Sequence, residues 1–262
     1  RKIIVVKIGG STLGNHDTTL EDLVELQKQG KSLVVIHGGA KVTTEWLARL
    51  GIPTSFVDGL RITDAETLKV VAAALGGLVN KELVVAIQAL GGKAVGLSGC
   101  DGNLLWASIK SPELGYVGEI VAVDPTPLKL LLNAGYMPVV APISFGSVEA
   151  RVMLLNVNGD TAAGEIAAAL AAEKLIFLTD VDGIHDCLGQ VIPKLNLAEA
   201  GDMLASGVAS GGMIPKIEAS LRALTTAKVV RIIDGRTTHA LLRDIGGRAR
   251  QTKSRGTTIV PE

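Results

Sequence analysis

Short runs of aliphatic and β-branched residues recur at 3–8, 33–36, 94–97, 137–141, 174–178 and 229–233. They are apolar on consecutive positions rather than alternate ones, the pattern of strands covered on both faces, and so predict a parallel-rich sheet. Between them, residues 18–29, 43–50, 64–90, 161–172 and 214–226 carry apolar positions at helical spacing, with Asp, Thr or Pro near their starts. Strands and helices in alternation predict an α/β fold with helices covering the sheet. Segments 103–109 and 116–123, joined by a turn with Pro112 and Gly115, predict a hairpin projecting from the first half. Residues 130–148 carry no charge, but Asn133, Gly135, Pro138, Pro142 and Gly146 interrupt them. That stretch reads as a helix end, a buried strand and a turn, not a membrane span. There is no repeat or low-complexity tract, and a lobe boundary is expected near Ala172, dividing the chain into 1–172 and 173–262.

Composition adds little to the fold but removes whole classes of function. At 262 residues with 47% hydrophobic content and 31 glycines, the chain can form one large domain or two closely joined lobes. Lys and Arg number 26, as do Asp and Glu. No bulk field draws the protein to nucleic acid or to an anionic membrane, and any anion recognition must be local. Cys100 and Cys187 have neither metal-ligand spacing nor the density of a disulfide scaffold, so both read as structural thiols of a reducing cytosol. Arg1 and Lys2 lead directly into the first strand, which leaves no room for a signal peptide; the chain does not begin with Met, as it would not after loss of a leader. A cytoplasmic protein is expected.

Chemistry enters at the run from Leu155 to Thr161, where a strand hands over to an Ala-rich helix. Asn156, Asn158 and Asp160 there suit a polar substrate with cations aligned beside it. Alternate spacing would turn both amides to one face; equally, the asparagines could be turn formers and Asp160 a helix cap. Lys7, Gly9 and Gly10 close the first strand, and His37, Gly38, Gly39 and Ala40 follow the second. Glycines let backbone N–H groups approach an anion, and a strand-end lysine adds a point charge. Both turns should lie at one edge of the sheet, with His37 a structural histidine and not a general base. Arg61, just before Asp64, offers a planar fork to a carboxylate, or else a salt bridge to a neighbouring acid. In the second half, Thr179, Asp180, Val181, Asp182, Gly183, Ile184 and His185 follow a strand. Val208, Ala209, Ser210, Gly211, Gly212 and Met213 lead to Pro215 and Lys216 at a helix start. Small residues at a strand end can accept a flat base and ribose, and a helix terminus can face phosphates. Three glycine turns and two lysines around one aspartate form a phosphoryl-transfer set. The P-loop-like Gly30-Lys31-Ser32 lacks the first glycine of that motif, since Glu25 stands there, and it precedes a strand. No G-x-G-x-x-G occurs, so a Rossmann fingerprint is unsupported.

In this order, these motifs resemble the amino acid kinase family almost end to end, together with Gly59-Leu60-Arg61-Ile62-Thr63-Asp64, Val79-Asn80-Lys81 and Val95-Gly96-Leu97-Ser98-Gly99. The resemblance implies an open α-β-α sandwich with a mainly parallel central sheet, an N-terminal lobe for an acylated amino acid and dimerisation, and a C-terminal lobe for ATP. It implies phosphoryl transfer from MgATP to a carboxylate, that of N-acetyl-L-glutamate in the branch this chain most resembles, with Mg²⁺ riding on the nucleotide and no metal ligands from the protein. Lys7 and Lys216 would stabilise the transferred and leaving groups, and Asp160 would orient both. Gly38, Gly39, Ala40, Arg61 and Asn156 would hold the acyl amino acid. Gly9 and Gly10, with the stretches 179–185 and 208–213, would hold the nucleotide phosphates and base. The first strand opening at Ile3 predicts no interlacing N-terminal helix, hence a homodimer insensitive to arginine.

Two residues depart from the family pattern. Ala40 stands at a usual third glycine and Gly159 at a usual alanine. Both suit a related kinase acting on a carrier-protein-linked aminoadipate or glutamate, although no basic run suggests docking to an acidic carrier. A silent amino-acid or nucleotide sensor on the same fold is the other alternative, against which the joint presence of Lys7, Asp160 and Lys216 argues.

Overall fold

The computed structural model describes residues 2–9, 18–207, 209, 211–246 and 256–262. In chain order the strands are β1 (Ile3–Ile8), β2 (Ser32–His37), β3 (Phe56–Val57), β4 (Leu60–Arg61), β5 (Ala94–Ser98), β6 (Leu105–Ile109), β7 (Val117–Val123), β8 (Met137–Ala141), β9 (Ile143–Val148), β10 (Arg151–Val157), β11 (Lys174–Thr179), β12 (Lys194–Asn196), β13 (Val230–Asp234) and β14 (Gly256–Val260). The helices are α1 (Thr19–Lys28), α2 (Ala40–Arg49), α3 (Ala65–Ala72), α4 (Asn80–Ala89), α5 (Thr126–Asn133), α6 (Gly159–Ala169), α7 (Leu197–Ala205), α8 (Met213–Ala223) and α9 (Ala240–Ile245). A π-helical turn, Ala73–Val79, joins α3 to α4.

Eight strands form one sheet in the order β12-β14-β13-β11-β1-β2-β8-β5. Every pairing is parallel except β13 with β14. The central strands are buried almost throughout, as expected of consecutive apolar runs. Strand period two then divides their side chains between two cores. Ile4, Val6, Ile8, Val35 and Ile176 face α1, α4 and α9, while Val5, Val34, Ile36, Leu175 and Phe177 face α5, α6 and α8. The same alternation sends Lys7 to the second face with Val5. That is the face where α6 and α8 lie.

Helices α6 and α8 pack unusually closely because Gly164 has no side chain: a Cβ there would sit 2.5 Å from the Ala219 carbonyl oxygen. The alanines of α6 are small for the same reason, the helix being enclosed by the sheet and α8. Gly159 is different. A Cβ there would meet Lys7 Cε at 3.5 Å, ordinary contact, so the family alanine is compatible with this backbone.

The expected hairpin is only half of the structure found there. β6 and β7 close with β9 and β10 into a four-stranded barrel. β10 ends at Val157, so the barrel delivers the chain to the start of α6. The ribbon β3–β4, the strands β12 and β14 at one end of the sheet, and α7 and α9 also lack a strong periodic signal, being short or near an edge. The helical run Ala65–Ala89 is long and apolar enough to span a membrane by length and composition. Here Leu68, Val71, Leu75, Val79, Leu83 and Ile87 are buried in the cores.

Candidate active site

Three carboxyl ends of neighbouring parallel strands supply the floor of the site. β1 ends in Lys7, Ile8 and Gly9; β2 in His37, Gly38 and Gly39; β11 in Thr179 and Asp180. Gly38 N–H donates to Ile8 O at 3.0 Å and Gly9 N–H to Leu178 O at 3.2 Å, so the two glycine turns start in register with the sheet. Open α/β sheets bind ligands at this edge.

Asp160 occupies the first turn of α6, but it does not cap the helix. Asn158 does, its Oδ1 accepting from the N–H groups of Asp160 and Thr161 at 2.8 and 3.1 Å. The carboxylate of Asp160 is thereby free to meet the two lysines. Lys7 Nζ lies 2.7 Å from Oδ1 and Lys216 Nζ 3.0 Å from Oδ2. Lys216 also donates to Gly212 O at 3.1 Å, one turn back at the residue that precedes α8. Burial alone would raise the Asp160 pKa; the charges and hydrogen bonds of Lys7 and Lys216 outweigh it and hold the carboxyl below its ordinary range. The buried cluster carries one net positive charge.

Two cavities meet at this cluster. The first, about 210 Å³, is lined by Lys7, Gly38, Gly39, Ala40, Arg61, Asn156 and Asp160, with apolar walls from Phe56, Leu60, Leu75, Val117 and Pro142. The second, about 320 Å³, is lined by Lys7, Gly9, Ala40, Lys41, Leu178, Thr179, Asp180 and Lys216. Lys7 and Ala40 border both.

Arg61 does not make the salt bridge that a buried arginine ordinarily requires. Its Nη1 donates to Thr54 Oγ1 at 3.3 Å, and its Nη2 to Ala40 O at 3.2 Å and Thr44 Oγ1 at 2.8 Å, all neutral acceptors. The guanidinium stacks 4.6 Å over the Phe56 ring, and burial lowers its pKa. A desolvated cation on a cavity wall, paired with no carboxylate among the described residues, is a ready site for a ligand carboxylate. Asp64 caps α3 through Thr67 N–H at 2.8 Å, which fixes the segment that carries Arg61. Asn156 donates to Thr63 Oγ1 at 3.1 Å, and Thr63 Oγ1 in turn donates to Arg61 O at 2.8 Å.

His37 is fully buried and neutral. Burial is the main cause, with the Lys81 and Lys7 charges adding to it, and together they push its pKa down to about 4 against a hydrogen bond to Gly38 that works the other way. A histidine whose pKa falls on folding is protonated more readily in the unfolded chain, so the sign is destabilising toward acid. Stability should drop by about 3 kcal/mol as pH falls from about 6.5 to about 4. Urea melts across that window check this, the excess slope of the parent over His37→Asn being the contribution of the ring; equal slopes would refute it.

On the nucleotide side, the structure brings together only part of the set read from sequence. Gly9, Thr179 and Asp180 line the second cavity. Val181 donates its N–H to Thr179 Oγ1 at 3.4 Å, and Asp182 pairs with His185 at 2.9 Å. Gly183 has φ 149, and Ile184 turns its side chain into the core while its N–H donates to Thr257 Oγ1 at 2.8 Å. Residues 182–185 thus form a turn pinned to β14. Ala209 bonds back to Met203 O, and Gly211, Gly212 and Met213 lead into α8. Gly10, Val208 and Ser210 lie outside the described residues. Lys41 follows the glycine turn directly and carries no signal of its own, Phe56 comes from the unpatterned ribbon β3–β4, and the hairpin pattern around Val117 gives no sign that it or Pro142 reaches the cavity.

The model of the amino acid kinase family matches residues 2–234. The chain is 45% identical over 246 residues to an acetylglutamate kinase of Dehalococcoides mccartyi (strain CBDB1), covering 93% of this chain and 90% of that one. It is 45% identical over 247 residues to an acetylglutamate kinase of Cereibacter sphaeroides (strain ATCC 17029 / ATH 2.4.9), covering 93% and 84%. Among solved structures, smu.665 from Streptococcus mutans UA159 superimposes with a TM-score of 0.83 at 27% identity over 99% of both chains.

Proposed function

The chain belongs to the amino acid kinase family, and we propose that within it the protein acts as an acetylglutamate kinase, transferring the γ-phosphate of ATP to the γ-carboxylate of N-acetyl-L-glutamate in arginine biosynthesis. The observation that carries the mechanism is Lys7 on the wall common to both cavities. A carboxylate acceptor is already ionised at neutral pH and needs no general base, so the barrier is one of positioning and of charge on the moving phosphoryl group. In this reading Lys7 neutralises that group, Lys216 the oxygens that leave with ADP, and Asp160 holds both ammonium groups in place. The Gly39 N–H would add a donor that needs no reorganisation, whereas the Gly9 N–H is already committed to Leu178 O. Mg²⁺ carried on the nucleotide phosphates would offset the remaining charge.

The acyl amino acid is assigned to the 210 Å³ cavity, its α-carboxylate on Arg61, its amide on Asn156 and its aliphatic part on the apolar wall. ATP is assigned to the side of Thr179, Asp180 and the start of α8, which corresponds to a nucleotide lobe of 173–262 against a substrate lobe of 1–172. A cytoplasmic homodimer is the assembly we favour. An exposed apolar face of the long helix, with Gly77, Leu78, Val85 and Ala86, offers a surface for the second copy.

The test is hydroxylamine trapping of the acyl phosphate with MgATP and a panel of N-acetylglutamate, N-acetylaspartate, free glutamate and aminoadipate. Trapping with N-acetylglutamate is expected. Trapping only with a carrier-linked substrate would replace this reading by the lysine-type kinase, and ATP binding without turnover by a sensor. Within the same assay, Arg61→Lys keeps the charge but loses the fork, so KM for the acyl amino acid should rise roughly tenfold or more while KM for ATP changes little. An equal rise in both would assign Arg61 to lobe closure.

A further inference from the structure

Two family-like motifs, Val79-Asn80-Lys81 and the glycine Gly96, have no part in the site as described so far. Asn80 is fully buried where the π-helical turn passes into α4. Its Nδ2 donates to Val139 O at 2.9 Å and Leu97 O at 3.2 Å, and lies 3.1 Å from His37 Nε2. Its Oδ1 accepts from Lys81 Nζ at 3.0 Å. Two carbonyls on one side and an ammonium on the other leave a single orientation for the amide. Gly96 provides the space, since a Cβ there would lie 2.0 Å from Asn80 Oδ1 and 2.8 Å from Lys81 Nζ.

The Asn80 NH₂ group shares two protons among these three acceptors, Val139 O, Leu97 O and His37 Nε2, and because an amide nitrogen cannot accept, a proton on His37 Nε2 would face it without a partner; the imidazole proton therefore resides on Nδ1. Nδ1 lies 2.8 Å from Gly38 O and donates to it. In a trans peptide the C=O and the following N–H point in opposite directions. Holding Gly38 O toward the ring therefore turns Gly39 N–H away from it. Gly39 lines the first cavity, and its N–H has no acceptor among the described residues. A reversed peptide would present a carbonyl oxygen to the same cavity and repel an anion.

We propose that Asn80 is a positioning residue for phosphoryl transfer, acting through the His37 ring to lock the Gly38–Gly39 peptide with its N–H turned to the cavity beside Lys7. The role rests on the kinase reading; the tautomer does not. The low pKa of His37 supports the arrangement, because a neutral ring has one donor and one acceptor and so one direction for each bond.

The first measurement is NMR of protein labelled with ¹⁵N-histidine, with His37 assigned by the signal missing from His37→Asn. The neutral Nδ1–H tautomer is expected, and Nε2–H would overturn the proposal. The second is kinetic. His37→Leu removes the donor to Gly38 and should lower kcat roughly tenfold or more with KM changed little, whereas His37→Asn places an amide N–H at the position of Nδ1 and should recover most of that loss. Asn80→Asp, an acceptor where a donor stood, should shift the ring to Nε2–H and reproduce the His37→Leu deficit. Equal kcat in the leucine and asparagine variants, both folded by circular dichroism, would overturn it. A parent without turnover would remove the kinase reading and this role together; turnover with the Nε2–H tautomer would remove the role alone.

Discussion

Replacing Lys7 or Lys216 by alanine is expected to lower kcat by roughly 100-fold or more, the order seen when one preorganised transition-state contact is lost. Both ammonium groups are largely buried and held within 3.0 Å of Asp160, so neither must reorganise as charge moves. Nucleotide affinity should fall much less, because Gly9, Thr179 and the start of α8 remain. The two variants should also differ. Lys7 borders both cavities and its loss should raise KM for the acyl amino acid, whereas Lys216 borders only the second. Steady-state kinetics with each substrate varied in turn would show this, and near-normal kcat in both variants would end the mechanistic assignment.

Asp160→Asn should lower kcat at least tenfold and destabilise the fold at the same time. The amide keeps the size of the side chain but leaves two neighbouring ammonium groups without their counter-ion, and removing one partner of a buried ion pair costs about 3–5 kcal/mol. Loss of a helix cap cannot be the cause, since Asn158 and not Asp160 caps α6. A change in melting temperature with kcat intact would make Asp160 a purely structural anchor. The sign with pH follows from its depressed pKa: the carboxylate stays ionised through the ordinary range of an aspartic acid, and the two pairs are lost only as pH falls through that lowered value.

Much of the site was legible because the relevant signals are local. Lys7, Gly38, Arg61, Asn156, Asp160 and Lys216 each stand next to a strand end or helix start that the apolar pattern marks, and a parallel sheet gathers such ends on one edge. Other features were ambiguous in the sequence because a residue type has several ordinary uses. Asp160 and Asn158 were both credible caps, two residues apart, and only the backbone geometry of the helix start decides between them. Arg61 was equally ambiguous, since the presence or absence of a neighbouring acid is a tertiary fact. Within the nucleotide stretch 179–185, spacing alone does not separate Thr179 and Asp180, which line the cavity, from Ile184, which turns into the core.

The chain by itself determined the strands of the central sheet, the helices on its faces and the glycine turns at its edge, since consecutive apolar residues, helical spacing and small residues act over a few positions. Tertiary structure decided what depends on distant segments meeting: the barrel closed by β9 and β10, the Phe56 and Pro142 walls, and the His37–Asn80 contact across 43 positions of sequence. It also decided the charge cluster. Lys7 and Lys216 reach one carboxylate only because strand alternation turns Lys7 toward α6 and because Gly164 lets α8 approach until an ammonium group spans the remaining gap.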